Sequence, residues 1–131
     1  MKNKSLSLVY GAALLAILPS CNRKEQTAGK GGNATLVCTL IHHTTSKNIL
    51  NGKMYIAYNV SDIPSHYDDS ATCTMIDGVP TASFSNLNEG KYYLSGTGYD
   101  TSISQSVKGG LSYEIKQETT LNVVVPVSET H

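Results

Sequence analysis

The stretch DGVPTASFSNLNEGKYYL, residues 77–94, decides the predicted fold of this chain. Asp77-Gly78 is a strong hairpin dipeptide, because both residues tolerate the positive φ angles of a tight turn. Residues 86–90 supply a second turn of the kind that separates strands. Apolar side chains recur at every second position of the flanking segments, at Ala82 and Phe84 and at Tyr92 and Leu94. This period of two predicts half-buried β-strands on both sides of the second turn.

The same alternation extends outward over the rest of the chain. We predict seven short strands, at residues 34–42, 53–60, 71–76, 81–84, 91–97, 111–115 and 120–127. No segment carries an apolar stripe of helical period, and residues 102–108 fit either a loop or an edge strand. Short segments rich in β-branched residues and Tyr, separated by turns, predict an all-β fold, a seven-stranded β-sandwich.

The composition limits the classes of protein to which the chain can belong. Its 131 residues, 40% hydrophobic and 15% charged, are enough for one domain and hardly for a second. Ten Lys and Arg balance ten Asp and Glu, which argues against a nucleic-acid partner. From residue 34 onward five Lys stand against nine Asp and Glu, so the predicted body is mildly acidic. Three cysteines are too few for a disulfide-dense miniprotein.

The beginning of the chain has the pattern of a secretory signal peptide. Lys2 and Lys4 form a positive start, and an apolar run over residues 6–18 follows them. This run is too short for a membrane-spanning helix. It ends at Leu18-Pro19-Ser20-Cys21, which resembles the bacterial lipobox, although Pro19 departs from the usual Ala, Ser or Thr.

The lipobox resemblance implies that the chain is cut before Cys21 and that the Cys21 thiol is lipidated. We therefore predict a lipoprotein signal peptide at residues 1–20, a lipidated cysteine and flexible tether at 21–33, and a β-sandwich domain at 34–131. The predicted partner is the membrane, reached through the lipid anchor. The predicted location is the bacterial cell envelope, on the periplasmic or surface face of the outer membrane.

Two segments of the body resemble transthyretin-like, or carboxypeptidase-regulatory-like, domains. They are residues 39–58, which contain KNILNGKMYI at 47–56, and the stretch 77–94. The shared features are the Asp-Gly turn, a strand that ends in Phe, and then Leu, Gly, Tyr and Leu at this spacing. The resemblance covers residues 34–127 and implies a prealbumin-like, Ig-like sandwich. The whole chain is also similar to small Bacteroidetes-type lipoproteins, and domains of this type are usually non-catalytic.

Cys38 and Cys73 are the cysteines that remain once Cys21 is lipidated. Both lie within predicted strands, and extracytoplasmic compartments are oxidising, so a disulfide between them is a candidate. The alternative is that both are small buried hydrophobic residues. No neighbouring feature of the sequence favours the thiolate form, so we predict that neither is a catalytic nucleophile.

His42 and His43 are adjacent at the end of a predicted strand. Because successive strand residues point to opposite faces, we expect the two rings to diverge and not to bind one metal ion together. The spacing to His66 matches no metal-binding motif either. The sequence therefore predicts no metal site and no cofactor.

Residues 61–70 are the longest polar loop of the chain. Asp62, Asp68 and Asp69 lack the spacing of a calcium-binding loop. Asp69-Ser70-Ala71 resembles the short O-glycosylation sequon of extracytoplasmic Bacteroidetes proteins, which implies that Ser70 is the glycan acceptor.

We find no catalytic constellation of recognisable spacing, neither a Ser-His-Asp triad, nor paired carboxylates, nor a phosphate-binding loop. We predict a non-enzymatic, membrane-anchored envelope lipoprotein that acts as an interaction or accessory module. One alternative is a glycan- or peptide-binding module that uses outward Tyr side chains and loop 61–70, although strand tyrosines are also common at half-buried positions. The other is a structural subunit of an envelope or secretion complex, like the transthyretin-fold lipoprotein of type VI secretion.

Overall fold

The computed structural model describes residues 27–130, and every regular element in this range is a β-strand. The strands are β1 (Lys30–His42), β2 (Ile49–Tyr58), β3 (Asp69–Thr72), β4 (Thr74–Ile76), β5 (Val79–Leu87), β6 (Gly90–Asp100), β7 (Gln105–Ile115) and β8 (Thr120–Glu129). This confirms the all-β prediction, with eight strands in place of the predicted seven. Over the same residues the chain forms no helix with the length and hydropathy needed to cross a membrane.

The eight strands form one mixed sheet that curls into a nearly closed barrel, in the order β3-β2-β6-β7-β8-β1-β5-β4. β1 and β8 are parallel over eight residue pairs, and the other strand pairings in residues 27–130 are antiparallel. β7 and β8 are joined only through Val107 with Glu129 and Lys108 with Ser128, so the sheet divides there into two halves of four strands. The two outermost strands, β3 and β4, are separated in sequence by Cys73 alone.

Cys73 interrupts the segment that the sequence predicts as a single strand over residues 71–76. Its backbone N–H donates to the carbonyl oxygen of Gly52 at 2.8 Å, so the chain remains hydrogen-bonded to β2 as far as Cys73. Thr74 then pairs with Thr81 of β5. The chain therefore crosses from one outer edge of the sheet to the other at Cys73, an arrangement that alternation of apolar residues does not encode.

The folded body begins earlier than residue 34. β1 starts at Lys30 and Ala28 is already buried, so the end of the predicted tether belongs to the body. The Tyr92 hydroxyl fixes this segment, because it accepts a hydrogen bond from the Gly29 N–H at 2.9 Å and donates to the Asn88 carbonyl at 2.7 Å. Residues 102–108, which by sequence fit either a loop or an edge strand, contain both. Residues 105–108 belong to β7, and the residues before them form a turn.

The core lies between the inward faces of the two halves. Its large buried residues include Leu36, Leu40, Ile49, Met54, Ile56, Phe84, Leu87, Tyr92, Leu94, Val107, Ile115 and Val125. Ala82 and Phe84, and likewise Tyr92 and Leu94, are buried as the opening stretch predicts. Gly96 leaves room for Leu40 in this interior, since a Cβ at residue 96 would lie 2.0 Å from Leu40 Cδ2.

Candidate functional site

Three strands end together at one end of the barrel and bring polar side chains into contact. β1, β6 and β8 run in the same direction, because β6 and β8 are both antiparallel to β7 and β8 is parallel to β1. The last residues of these strands are His42, Asp100 and Glu129. We call these three side chains, together with His43 and Ser102, the strand-end cluster.

His42 is the buried centre of the strand-end cluster, with only 2% of its surface exposed. Its Nδ1 lies 2.5 Å from Oδ2 of Asp100. The other oxygen of Asp100 accepts hydrogen bonds from the Ser102 hydroxyl at 2.5 Å and from the Ser102 backbone N–H at 2.9 Å. These bonds, from the Ser102 hydroxyl first and then from His42, lower the pKa of Asp100 to about 2. Because an ionised carboxylate only accepts hydrogen bonds, Nδ1 of His42 carries a hydrogen and donates a hydrogen bond to Asp100.

The second ring nitrogen of His42 faces Glu129. Nε2 lies 3.3 Å from Oε1 of Glu129 but without hydrogen-bond geometry, and within residues 27–130 it is the buried side-chain polar atom that lacks a partner. Nε2 of His43 lies 3.3 Å from the same oxygen. The backbone N–H of Glu129 and then the His43 ring lower the pKa of the Glu129 carboxyl. One nitrogen of each His and one oxygen of Glu129 all lie within 4.8 Å of one another.

The prediction that the rings of His42 and His43 diverge is wrong. β1 ends at His42, and the Thr45 N–H donates to the His42 carbonyl at 3.2 Å, which closes a turn. Within this turn His43 has a φ of 53°, in the left-handed region, so strand alternation stops at His42. The two ring centroids therefore lie 3.9 Å apart. Sequence reasoning missed Asp100 and Glu129 altogether, since no spacing links them to the histidines.

A second polar region lies beside β2 and β3. The rings of Tyr55 and Tyr67 pack with their centroids 5.3 Å apart and an interplanar angle of 41°. Nζ of Lys53 lies 5.4 Å from the centroid of Tyr55, within the range of a cation–π contact. An open groove of about 450 Å³ is lined by Tyr55, Tyr67, Asp68, Asp69 and Ser70. We call this region the tyrosine groove.

Asp68 holds the loop 61–70 against β2 at the tyrosine groove. Its backbone N–H donates to the Ile56 carbonyl at 2.8 Å, and its Oδ2 accepts the Tyr58 N–H at 2.7 Å. Ser70, the predicted glycan acceptor, is exposed on β3 in register with Tyr55. The predicted modification site therefore lies within the groove.

The interior tyrosine Tyr92 contrasts with the two tyrosines of the groove. Tyr92 is fully buried, and Tyr58 meets it edge-on with 5.8 Å between ring centroids. Burial is the main reason that the pKa of Tyr92 is raised. Tyr55 and Tyr67 are half-buried and keep part of their surface exposed. The groove therefore combines a partly exposed tyrosine ring pair with the neighbouring carboxylates of Asp68 and Asp69.

Cys38 and Cys73 are free thiols in the structure, and the candidate disulfide between them stays a prediction. Burial raises the pKa of Cys38 to about 12, with a further contribution from Cys73, and burial raises the pKa of Cys73 to about 11. Both thiols therefore resist deprotonation, which fits the interpretation of two small core residues.

No protein-family model, no curated protein and no solved structure matches this chain. The lipobox resemblance depends on Cys21, which lies outside the described residues. Function is therefore inferred from the sequence pattern and from the geometry of the two polar regions.

Proposed function

We propose that this chain is a non-enzymatic lipoprotein of the bacterial cell envelope, anchored through Cys21, whose body is a transthyretin-like sandwich that acts as a recognition module. The signal-like residues 1–20 and the lipobox-like residues 18–21 support the anchor. The near-separation of the sheet at β7 and β8 into four-stranded halves supports a sandwich interpretation of the nearly closed barrel.

The tyrosine groove is the observation that carries the recognition role. Tyr55 and Tyr67 offer aromatic faces on which the apolar face of a sugar ring stacks. The carboxylates of Asp68 and Asp69 offer acceptors for sugar hydroxyls, and Lys53 offers donors. Because the groove combines stacking surfaces with charged acceptors and is open to solvent, a glycan is the ligand class that it fits best.

Oligosaccharide titration tests this proposal. Cellohexaose, maltohexaose and chitohexaose are added by calorimetry to the chain from residue 21 carrying Cys21→Ser. We expect saturable binding of at least one of them, and we expect Tyr67→Ala to weaken it by about tenfold or more, since one stacking surface is lost. Tyr99→Ala is the matched control, because Tyr99 is 39% exposed and does not line the groove. Absence of saturable binding, or an equal loss in the control, would contradict the glycan proposal.

Fractionation of cells tests the anchor separately. The wild-type chain should sediment with membranes, and Cys21→Ser should release it, because the acyl chains supply the membrane affinity. A Cys21→Ser variant that still sediments with membranes would contradict the lipoprotein proposal and leave the groove proposal intact.

A second candidate function, a structural subunit of an envelope complex, is favoured by β4. This edge strand has three exposed residues, and Met75 and Ile76 are 49% and 54% exposed. An edge strand with unpaired backbone groups and apolar side chains is a typical surface for protein association. A photocrosslinker at Met75 should then capture an envelope protein that the same crosslinker at the exposed Ser83 of β5 does not.

A further inference from the structure

We propose that His42, His43 and Glu129 form a binding site for a divalent transition-metal ion, with Zn²⁺ the best-matched ion. The ligand atoms are Nε2 of each histidine and Oε1 of Glu129. Imidazole nitrogen together with one carboxylate is a donor set typical of Zn²⁺, whereas Ca²⁺ and Mg²⁺ prefer oxygen ligands alone. This site lies in the strand-end cluster and does not depend on the function proposed for the tyrosine groove.

Two of the three separations between the donor atoms match those around a tetrahedral ion. Two ligand atoms that each lie about 2.0–2.1 Å from a tetrahedral zinc are about 3.3–3.4 Å from each other. Oε1 of Glu129 lies 3.3 Å from Nε2 of His42 and 3.3 Å from Nε2 of His43. These two separations match those around one tetrahedral ion, and the third pair, the Nε2 atoms of the two histidines, lies within 4.8 Å.

The buried Nε2 of His42 is an independent reason to place a cation here. The atom is buried, it has no hydrogen-bond partner within residues 27–130, and it lies 3.3 Å from Oε1 of Glu129. With Nδ1–H donating a hydrogen bond to Asp100, a neutral imidazole has a lone pair on Nε2. A lone pair and a carboxylate facing each other at 3.3 Å repel unless a positive species lies between them. That species is either a metal ion or a second proton on His42.

Asp100 and Ser102 complete the arrangement as positioning residues. A histidine that binds a metal usually donates its other N–H to a carboxylate, which fixes the tautomer and the ring orientation. Asp100 accepts the Nδ1 proton of His42 at 2.5 Å and is itself held by two hydrogen bonds from Ser102. This chain of contacts directs Nε2 toward Glu129 before any ion binds.

The outer part of the site is open to solvent. The side chain of His43 is 67% exposed and that of Glu129 is 26% exposed, so an ion can reach the buried Nε2 of His42 from this side. Three protein ligands leave the fourth tetrahedral position to water or to a donor atom of another molecule. The site could therefore bind a partner's donor group through the metal at the end of the barrel.

Calorimetric titration with Zn²⁺ tests the proposal on the chain from residue 21 with Cys21→Ser and without a polyhistidine tag. We expect one ion per chain, and little or no heat with Mg²⁺ or Ca²⁺. His43→Ala and Glu129→Gln change exposed or half-exposed side chains, so both variants should stay folded and lose at least about tenfold in affinity. His66→Ala, at an exposed histidine of the loop 61–70, is the matched control and should bind as the wild type does.

Co²⁺ supplies a second measurement that does not depend on heat. A tetrahedral cobalt site absorbs visible light far more strongly than hydrated Co²⁺, so the absorbance reports how much Co²⁺ is bound. Asp100→Asn should lower the affinity for Co²⁺ by about 10- to 100-fold, because the His42 ring loses the partner that orients it. No stoichiometric Zn²⁺ binding, equal binding by His43→Ala and Glu129→Gln, or loss of binding in His66→Ala would each overturn the proposal. A proton that remains on Nε2 of His42 in saturating Zn²⁺ would show that a proton, and not a metal ion, lies between His42 and Glu129. That result would also overturn the proposal.

Discussion

The tyrosine groove and the strand-end cluster are both polar, but the chain builds them in different ways. The groove comes from β2, β3 and the loop that joins them, so its residues lie within 16 positions of one another in the sequence and remain accessible to solvent. The cluster comes from the ends of β1, β6 and β8, and its central hydrogen bond joins residues 58 positions apart. Local sequence therefore locates the groove, whereas only the direction of the strands locates the cluster.

The largest difference in stability is expected between substitutions of the two adjacent histidines, because His42 is buried and His43 is exposed. His42→Ala leaves the buried Asp100 carboxylate without its imidazole N–H donor, so the free energy of unfolding should fall by about 3 kcal/mol. His43→Ala changes a side chain that is 67% exposed and should shift it by no more than about 0.5 kcal/mol. Urea unfolding followed by circular dichroism measures both. Equal effects of the two substitutions would contradict the buried role of His42.

Thiol labelling gives the next largest effect. With pKa values raised to about 11 and about 12, native Cys73 and Cys38 should react with iodoacetamide about 100-fold and about 1,000-fold more slowly than an ordinary thiol. Below those pKa values the rate should rise about tenfold with each unit of pH, because the reactive thiolate fraction rises tenfold with each unit. Mass spectrometry follows the labelling of the chain with Cys21→Ser. If both thiols of the unfolded chain are labelled without a reductant, the result agrees with the structure. If neither thiol is labelled until a reductant is added, the candidate disulfide is present.

Comparison of an interior tyrosine with a groove tyrosine gives a smaller effect. Tyr92→Phe leaves the Gly29 N–H without its acceptor and the Asn88 carbonyl without its donor, so stability should fall by about 1–3 kcal/mol. Tyr55→Phe should change it by less than about 0.5 kcal/mol, since the Tyr55 side chain is only half-buried on the surface of β2. Thermal unfolding of the two variants compares their stabilities directly. A larger loss of stability for Tyr55→Phe would contradict the placement of Tyr92 in the interior and of Tyr55 at the surface.

Ser70→Ala should have the smallest effect on stability, within about 0.5 kcal/mol, because residue 70 is exposed on an edge strand. If Ser70 carries a glycan in the native host, the variant should lose that mass while the Thr72→Ala control on the same strand keeps it. Intact-mass spectrometry is the measurement. An unchanged glycan mass in Ser70→Ala would exclude this residue as the acceptor.

The sequence predicted the parts of the fold that depend on neighbouring residues. Alternation at Ala82, Phe84, Tyr92 and Leu94 gave the buried faces correctly, because the side-chain direction in a strand depends only on the count along the chain. It could not give the break at Cys73, where the chain passes between two sheet edges that are far apart in pairing order.

The same distinction explains why the sequence missed the strand-end cluster. Prediction of its geometry requires the turn after β1, which gives His43 a left-handed conformation and ends the alternation. It also requires the parallel pairing of β1 with β8, which brings Glu129 to the end of β1. The spacing of His42, Asp100 and Glu129 in the sequence indicates neither the turn nor the parallel pairing. The three-dimensional contacts are therefore needed to predict that these side chains meet.

The most direct test of two separate polar regions is a ¹H–¹⁵N correlation spectrum of the chain from residue 21 with Cys21→Ser, recorded while Zn²⁺ is added. We predict that shifts are confined to residues 42–43, 100–102 and 128–130, with saturation at one ion per chain. Signals of Tyr55 and of residues 67–70 should stay unchanged. Shifts centred on the loop 61–70, or spread over the whole sheet, would contradict the account.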